Sequence, residues 1–325
     1  MKIRYPFDRP VIIVAAPRSG STLLFDSLSL SGDLWTIGGE SHGLIESIHR
    51  FNPTKGYCDS NALFAEDASP AVIAQIRLWF FQQLRDAQGR RFHEMSRGLN
   101  SRPRLLEKTP KHSLRVSLLN ALFPDALFVY LYRNPRENIS SIMDTWVSGR
   151  FVTYKSLPGR DSSWSLLLPP GWQSYNHSSL EEIAAFQWKS ANMAILRELK
   201  KLDRNRWIAV SHGQQVRETI ETVQRLCKFC DVSADGILQS MSSGYTRLSR
   251  YTLTPPAKDK WHKNAVALSK VMPDLQETLD YIRENADGLP DDEFDLTIDP
   301  SVLEAASQDR GDPDIGAAPA THNRK

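Results

Sequence analysis

The chain has 325 residues, 41% of them hydrophobic and 24% charged, with a mean hydropathy of −0.40, which excludes collagen, coiled coil and wholesale disorder. No apolar stretch reaches the ~20 residues of a membrane span, Val11 to Ala16 is too short for a signal-peptide core, and Cys58, Cys227 and Cys230 cannot build a disulfide framework, so a cytoplasmic, reducing location is expected. The net charge of +2 is uneven: residues 284–325 hold eleven acidic and three basic side chains, leaving 37 Lys and Arg against 27 Asp and Glu, net +10, on a body suited to an anionic small molecule; its dispersed basic residues argue against nucleic acid.

In chain order the pattern is an α/β alternation. Val11-Ile12-Ile13-Val14-Ala15, bounded by Pro10 and Pro17, is the continuous apolar run of a strand buried on both faces. Pro17-Arg18-Ser19-Gly20-Ser21-Thr22 leads into Leu23, Leu24, Leu28 and Leu30 at helical spacing, giving strand, tight loop and helix. Leu34 to Ile37 reads as a short strand ending at Gly38-Gly39-Glu40, and Ser69-Pro70 opens a helix over 71–84. Arg104 to Glu107 is a third strand, running into Lys108-Thr109-Pro110 and a helix over 113–123. Leu127 to Tyr132 is the second strongly apolar strand; beyond Arg133, Asn134 can cap and Pro135 can open a helix to about Trp146. Residues 147–179 lose periodicity yet contain Phe151, Tyr154, Trp164, Trp172 and Tyr175, and read as a long aromatic-rich loop or lid. A helix over 180–202, a strand from Trp207 to Val210 and a helix over 215–230 resume the alternation, which implies a parallel β-sheet flanked by helices. Residues 1–298 are expected to form one domain and the acidic segment 299–325 a disordered tail. Cys227 to Cys230 and Trp79-Phe80-Phe81 read as core packing.

The segment Arg18-Ser19-Gly20-Ser21-Thr22 is the most informative of these. Gly20 lets the backbone fold around an oxyanion, consecutive N–H groups can point inward, and the following helix presents its positive end, while Arg18 adds a charge and a planar fork of donors. A phosphate or sulfate group is the expected ligand. The Walker A pattern is absent, because Ala15 stands at its first glycine and Ser21 at its lysine. The later strand ends in Tyr132-Arg133 rather than in a magnesium-binding aspartate, so the expected ligand has two separate anionic ends and is held without metal.

These motifs occur in the order found in the PAPS-dependent sulfotransferases, which move a sulfuryl group from 3′-phosphoadenosine-5′-phosphosulfate (PAPS) to an acceptor, and over roughly residues 10–270 the chain closely resembles that family. The stretch from Pro17 to Leu23 is similar to the family's 5′-phosphosulfate loop in its arginine form, which implies donor contacts from Pro17, Arg18, Ser19, Gly20, Ser21 and Thr22. The stretch from Tyr132 to Ser141 resembles the 3′-phosphate motif, which implies that Arg133 and Ser141 hold the 3′-phosphate, with Ser140 replacing Ser141 if the register slips by one. Lys108 resembles the lysine beside the transferring sulfuryl group, and Lys258, Lys260-Trp261 and Lys263 resemble a late basic segment that closes over the 3′-phosphate. His212-Gly213-Gln214-Gln215 stands where many relatives carry tyrosine-acid-acid-leucine, so His212 takes the place of a tyrosine near the adenine. The resemblance implies the P-loop-like sulfotransferase fold, PAPS as co-substrate with PAP as product, no metal, and a small-molecule alcohol or phenol as acceptor.

Such a transfer needs a general base and cations for the departing charge. Arg18 and Lys108 are the expected stabilisers. Three residues are candidates for the base: Glu40, at a position resembling that of the catalytic glutamate of the protein-tyrosine sulfotransferases; His42, two residues on; and His112. Glu40 is preferred over His42, and His112 ranks third, because a buried carboxylate with a raised pKa can accept a proton near neutral pH. The aromatic residues of 147–179 are expected to line the pocket of a largely apolar or aromatic acceptor. A P-loop nucleotide kinase or hydrolase and a PAP-binding protein without catalysis are the competing classes.

Overall fold

The first apolar run forms β1 (Val11–Ala15), buried at every position because helices cover it on both faces. The computed structural model describes residues 6–95, 102–160, 162–243 and 259–308. Lys258 and everything beyond Gln308 lie outside the described residues. After β1 come α1 (Ser21–Leu28), β2 (Leu34–Trp35), α2 (His42–Glu46), α3 (Pro70–Gln83), β3 (Arg104–Lys108) and α4 (Val116–Leu122). The middle of the chain supplies β4 (Leu127–Tyr132), α5 (Pro135–Val147), the short strands β5 (Val152–Tyr154) and β6 (Trp164–Ser165), and α6 (Leu180–Leu199). There follow β7 (Trp207–Ser211), α7 (His212–Arg217), α8 (Thr219–Cys230), α9 (Asp235–Ser242), α10 (Ala265–Val271), α11 (Gln276–Asn285) and α12 (Pro300–Gln308).

Five strands pair in the order β2-β3-β1-β4-β7, every pair parallel. Alternate residues of the sheet serve two cores. Ile12, Val14, Leu105, Phe128 and Tyr130 pack with Leu119, Trp188 and Ile195 on one face. Val11, Ile13, Leu106, Val129 and Leu131 pack with Leu24, Phe25, Val223 and Leu226 on the other. This is the expected α/β class, and Cys227 and Cys230 lie in the second core. No helix among the described residues is long and apolar enough to cross a membrane.

Some boundaries differ from the periodicity. The helix expected over 113–123 begins as a 3-10 turn, Pro110–Leu114, and becomes α-helical only at Val116. The helix expected over 215–230 divides into α7 and α8 at Glu218, whose backbone (φ −124, ψ 50) is not helical. Within the aromatic-rich segment, β5 and β6 pair antiparallel. Trp164 and Trp172 are buried against each other, 5.5 Å between ring centroids, in a small core of their own with Leu168 and Ile183. They serve packing rather than a ligand pocket, which corrects the expectation for those two rings, because Trp164 Nε1 and Trp172 Nε1 reach backbone carbonyls (Leu167 and Asp59) that satisfy them away from solvent.

The expected disordered tail also needs correction at its start: Pro300–Gln308 is α12, which packs on α10 and buries Ala306. Truncation after Gln308 should therefore leave the melting temperature unchanged, whereas truncation after Asp299 should lower it by several degrees. Equal melting temperatures for the two truncations would show that α12 adds nothing to the fold.

Candidate active site

In an open parallel sheet, ligands bind beyond the carboxyl ends of the strands where the chain turns to opposite sides. Here β1 leads through α1 toward β2 on one side, and its neighbour β4 leads on to β7 on the other. The carboxyl ends of β1, β4, β3 and β7 deliver the loop from Pro17, Arg133, Lys108 and His212 to that one edge of the sheet.

Arg18 (φ 67) and Gly20 (φ 92) both take left-handed backbone conformations, which fold the loop tightly before α1 begins at Ser21. Gly20 is also needed for space, since a Cβ there would lie 2.5 Å from His212 Cδ2. Asn138, wholly buried on α5, holds the loop at two points: its Oδ1 accepts from Ser19 Oγ at 2.8 Å and its Nδ2 donates to the Pro17 carbonyl at 2.7 Å. Sequence reasoning missed this residue, because an asparagine inside a helix carries no local signal for a contact 119 residues away.

Arg18 lies with its guanidinium 5.4 Å from the Phe151 ring centroid, and its Nε is buried with no hydrogen-bond partner among the described residues. Burial, and after it the neighbouring Arg133, lowers the Arg18 pKa. Arg133 donates to the Arg18 carbonyl at 3.0 Å and places two nitrogens on Glu137 Oε2 at 2.9 and 3.0 Å. His212 is neutral, its pKa driven down to about 3 by burial and by the cations Arg133 and Arg217.

Along α5, Ser140 is buried and accepts from Asn264 Nδ2 at 2.9 Å, whereas Ser141 is half-buried. The late basic residues lie against the same helix. Lys263 pairs with Asp144 at 2.9 Å, and Trp261 carries the Arg136 guanidinium 5.1 Å from its ring centroid. Lys260, whose pKa burial lowers, senses Asp144, Lys263, Arg133 and Arg18. Two cationic groups, the Arg18 loop and the Arg133–α5 region, thus adjoin.

Lys108 is buried at the end of β3 and donates to Glu40 Oε1 at 2.7 Å and to Thr22 Oγ1 at 3.1 Å. His42 Nδ1 lies 3.4 Å from Glu40 Oε2 and is half-exposed. Burial alone would raise the Glu40 pKa, but His42 and Lys108 outweigh it and hold the carboxyl at about 2. This overturns the premise of a raised pKa: Glu40 is a carboxylate in the free protein, ready to accept a proton but weakly basic while Lys108 stays on it. His112 is wholly buried, with its Nε2 3.0 Å from Glu107 Oε1 and 3.0 Å from Ser41 Oγ. That corrects its place as a third base candidate, because its ring is closed off from solvent and its Nε2 faces Glu107 and Ser41.

A second charged cluster was not legible in the sequence. Glu46 accepts from Lys111 (2.7 Å) and Arg115 (2.7 Å), Lys111 donates to Tyr154 Oη (2.9 Å), and Asn61 Nδ2 donates to the same oxygen (2.6 Å). Burial pulls the Lys111 pKa down to about 8 against the raising effect of Glu46. The cluster fastens the β5–β6 hairpin beside the site. A cleft of about 320 Å³ among Arg9, Asp33, Trp35, Arg104 and Asp231 lies at the amino ends of the strands, remote from the loop. Arg9 and Arg104 there already bond Asp231 and the carbonyl of Cys230. Among the described residues no group of three His, Cys, Asp or Glu side chains could hold a metal ion.

The sequence model of the Sulfotransferase family matches residues 10–236. Among solved structures, the chain is similar to the sulfotransferase domain of the Synechococcus PCC 7002 olefin synthase, at 18% identity and a TM-score of 0.45, covering 80% of this chain and 89% of that one. It is also similar to the sulfotransferase domain from the curacin biosynthetic pathway (17% identity, TM-score 0.45, 81% and 98% covered). A sulfotransferase from Alicyclobacillus acidocaldarius gives 16% identity and a TM-score of 0.46, with 85% and 96% covered. No curated protein matches.

Proposed function

The chain belongs to the sulfotransferase family, and from that premise we propose that it transfers a sulfuryl group from PAPS to the hydroxyl of a small apolar or aromatic acceptor, without a metal. The observation that carries the reading is the meeting of two cationic groups at the sheet edge, joined by the Arg133 bond to the Arg18 carbonyl, with the Lys108–Glu40 pair at the next strand end. The loop fits an oxyanion, since Arg18 Nε is buried without a partner among the described residues and the cradle at Gly20 leaves no room for a Cβ.

In this reading the loop N–H groups and Arg18 hold the 5′-phosphosulfate, and Arg133, Ser141, Lys260 and Lys263 hold the 3′-phosphate. Ser141 is preferred to Ser140 because Ser140 is buried on α5 whereas Ser141 is half-buried and open to a ligand. His212 and Trp261 flank the nucleotide. Glu40 accepts the acceptor's hydroxyl proton as the acceptor oxygen bonds to sulfur and the bond from sulfur to the phosphate oxygen breaks. Lys108 shifts from Glu40 toward the sulfuryl oxygens, which frees the carboxylate to act as base, and with Arg18 it offsets the charge left on the phosphate. His42 orients Glu40 from its far side.

The test is thermal stabilisation. PAP in EDTA should stabilise the protein by about 2.7 kcal/mol at a hundredfold excess over Kd, and transfer from labelled PAPS to a panel of phenols and alcohols should survive EDTA. Stabilisation only by ATP with magnesium would favour a nucleotide hydrolase. Binding of PAP without turnover on any acceptor would favour a non-catalytic PAP-binding protein.

A further inference from the structure

Glu107 and Lys108 are consecutive at the end of β3, so their side chains leave opposite faces of the sheet. Lys108 turns to the face of α1, where it meets Thr22 and Glu40. Glu107 enters the other face and is wholly buried. The loop after β2 grips both. Glu40 holds Lys108, and the next residue, Ser41, donates from Oγ to Glu107 Oε1 at 2.6 Å. The Ser41 N–H donates to Thr109 Oγ1 at 2.8 Å, and Thr109 donates to the same Glu107 oxygen at 2.9 Å. His112 Nε2 completes the set, 3.0 Å from that oxygen. Three polar side chains converge on Glu107 Oε1, two of them hydroxyl donors, and every member of the group is buried.

A buried carboxylate is a costly way to fill a core, and an apolar residue would pack there without needing partners. Its placement has a geometric consequence. The ladder between β2 and β3 covers only Leu34 with Arg104 and Trp35 with Leu105, so pairing ends well before Glu40. Beyond the ladder, Ser41 ties the loop to the end of β3 through Glu107 and Thr109. We infer that Glu107 is a positioning residue that, through Ser41, fixes the Glu40 carboxylate against Lys108. The inference rests on the reading of Glu40 as base and Lys108 as stabiliser.

The experiment is a double-mutant comparison with the full chain. Ser41→Ala removes the hydroxyl without leaving a new buried charge. It should lower kcat by roughly 10–100-fold, the effect of a small misplacement of a catalytic group, while PAP affinity and the KM for PAPS stay unchanged. In a Glu40→Gln background the same substitution should cost little further, because the group being positioned no longer accepts a proton. An unchanged kcat in Ser41→Ala overturns the inference, and so does an equal loss in both backgrounds, which would mark a structural role. Should Ser41→Ala fail to fold, Glu107→Met, which keeps much of the side chain's length and removes the acceptor oxygen that Ser41, Thr109 and His112 share, takes its place in both backgrounds, and the same two results overturn the inference. A wild-type chain that neither binds PAP nor transfers a sulfuryl group overturns the proposed function itself, and this inference with it.

Discussion

Replacing Glu40 with glutamine is expected to lower turnover by roughly 10²–10⁴-fold, because the variant keeps the shape of the side chain and loses the proton acceptor. PAP affinity should change little, since Glu40 faces Lys108 and His42 rather than the loop. His42→Ala should cost much less. The pH dependence follows from the depressed carboxyl. With Glu40 held at about 2, its carboxylate is present throughout the neutral range, and its ion pairing stabilises the fold above the ordinary carboxylate pKa and is lost only as the pH falls toward 2. The profile of kcat/KM, which reports the free enzyme, should therefore show no acidic limb from Glu40 near neutrality. A severe loss of turnover in His42→Ala, together with a mild Glu40→Gln phenotype, would move the base to His42.

The second large effect is expected at Arg133. Arg133→Ala should weaken PAP binding by about 1.5–3 kcal/mol, the range for a hydrogen bond to a charged group. Adenosine 5′-phosphosulfate, which lacks the 3′-phosphate, should be affected far less. Glu137 sharpens the test, because its carboxylate occupies two Arg133 nitrogens in the free protein. Glu137→Gln should leave PAP affinity intact or improve it, as a competitor for the guanidinium is removed. Equal losses for both nucleotides in Arg133→Ala would exclude Arg133 from the 3′-phosphate, as calorimetry with the two ligands would show.

What the amino-acid sequence determined by itself is local. The run Val11 to Ala15 and the run Leu127 to Tyr132 are strands because apolar residues continue without interruption between breakers. The helix after Arg133 starts where Asn134 accepts from the Arg136 N–H and Pro135 needs no partner for a missing N–H. The loop before α1 is legible for the same reason, since a glycine with positive φ, a cation and a helix start lie within five residues.

Tertiary structure decided what depends on distant partners. Trp164 and Trp172 sit in a stretch without periodicity, and only the packing of the hairpin on α6 makes them core rather than pocket. Val302, Leu303 and Ala306 gave too weak a pattern to mark a helix, and it is the α10 surface that makes one of Pro300–Gln308. Lys108 and Glu40 are 68 residues apart, Asn138 and Ser19 are 119, and Ser41 and Glu107 are 66. Strand patterns specify that each strand exists without specifying which strand lies beside which. The order that places β3 and β4 on either side of β1 sets those contacts, and with them the ionisation of Glu40, because a carboxyl's pKa responds to the charges brought within a few ångströms and not to its neighbours along the chain.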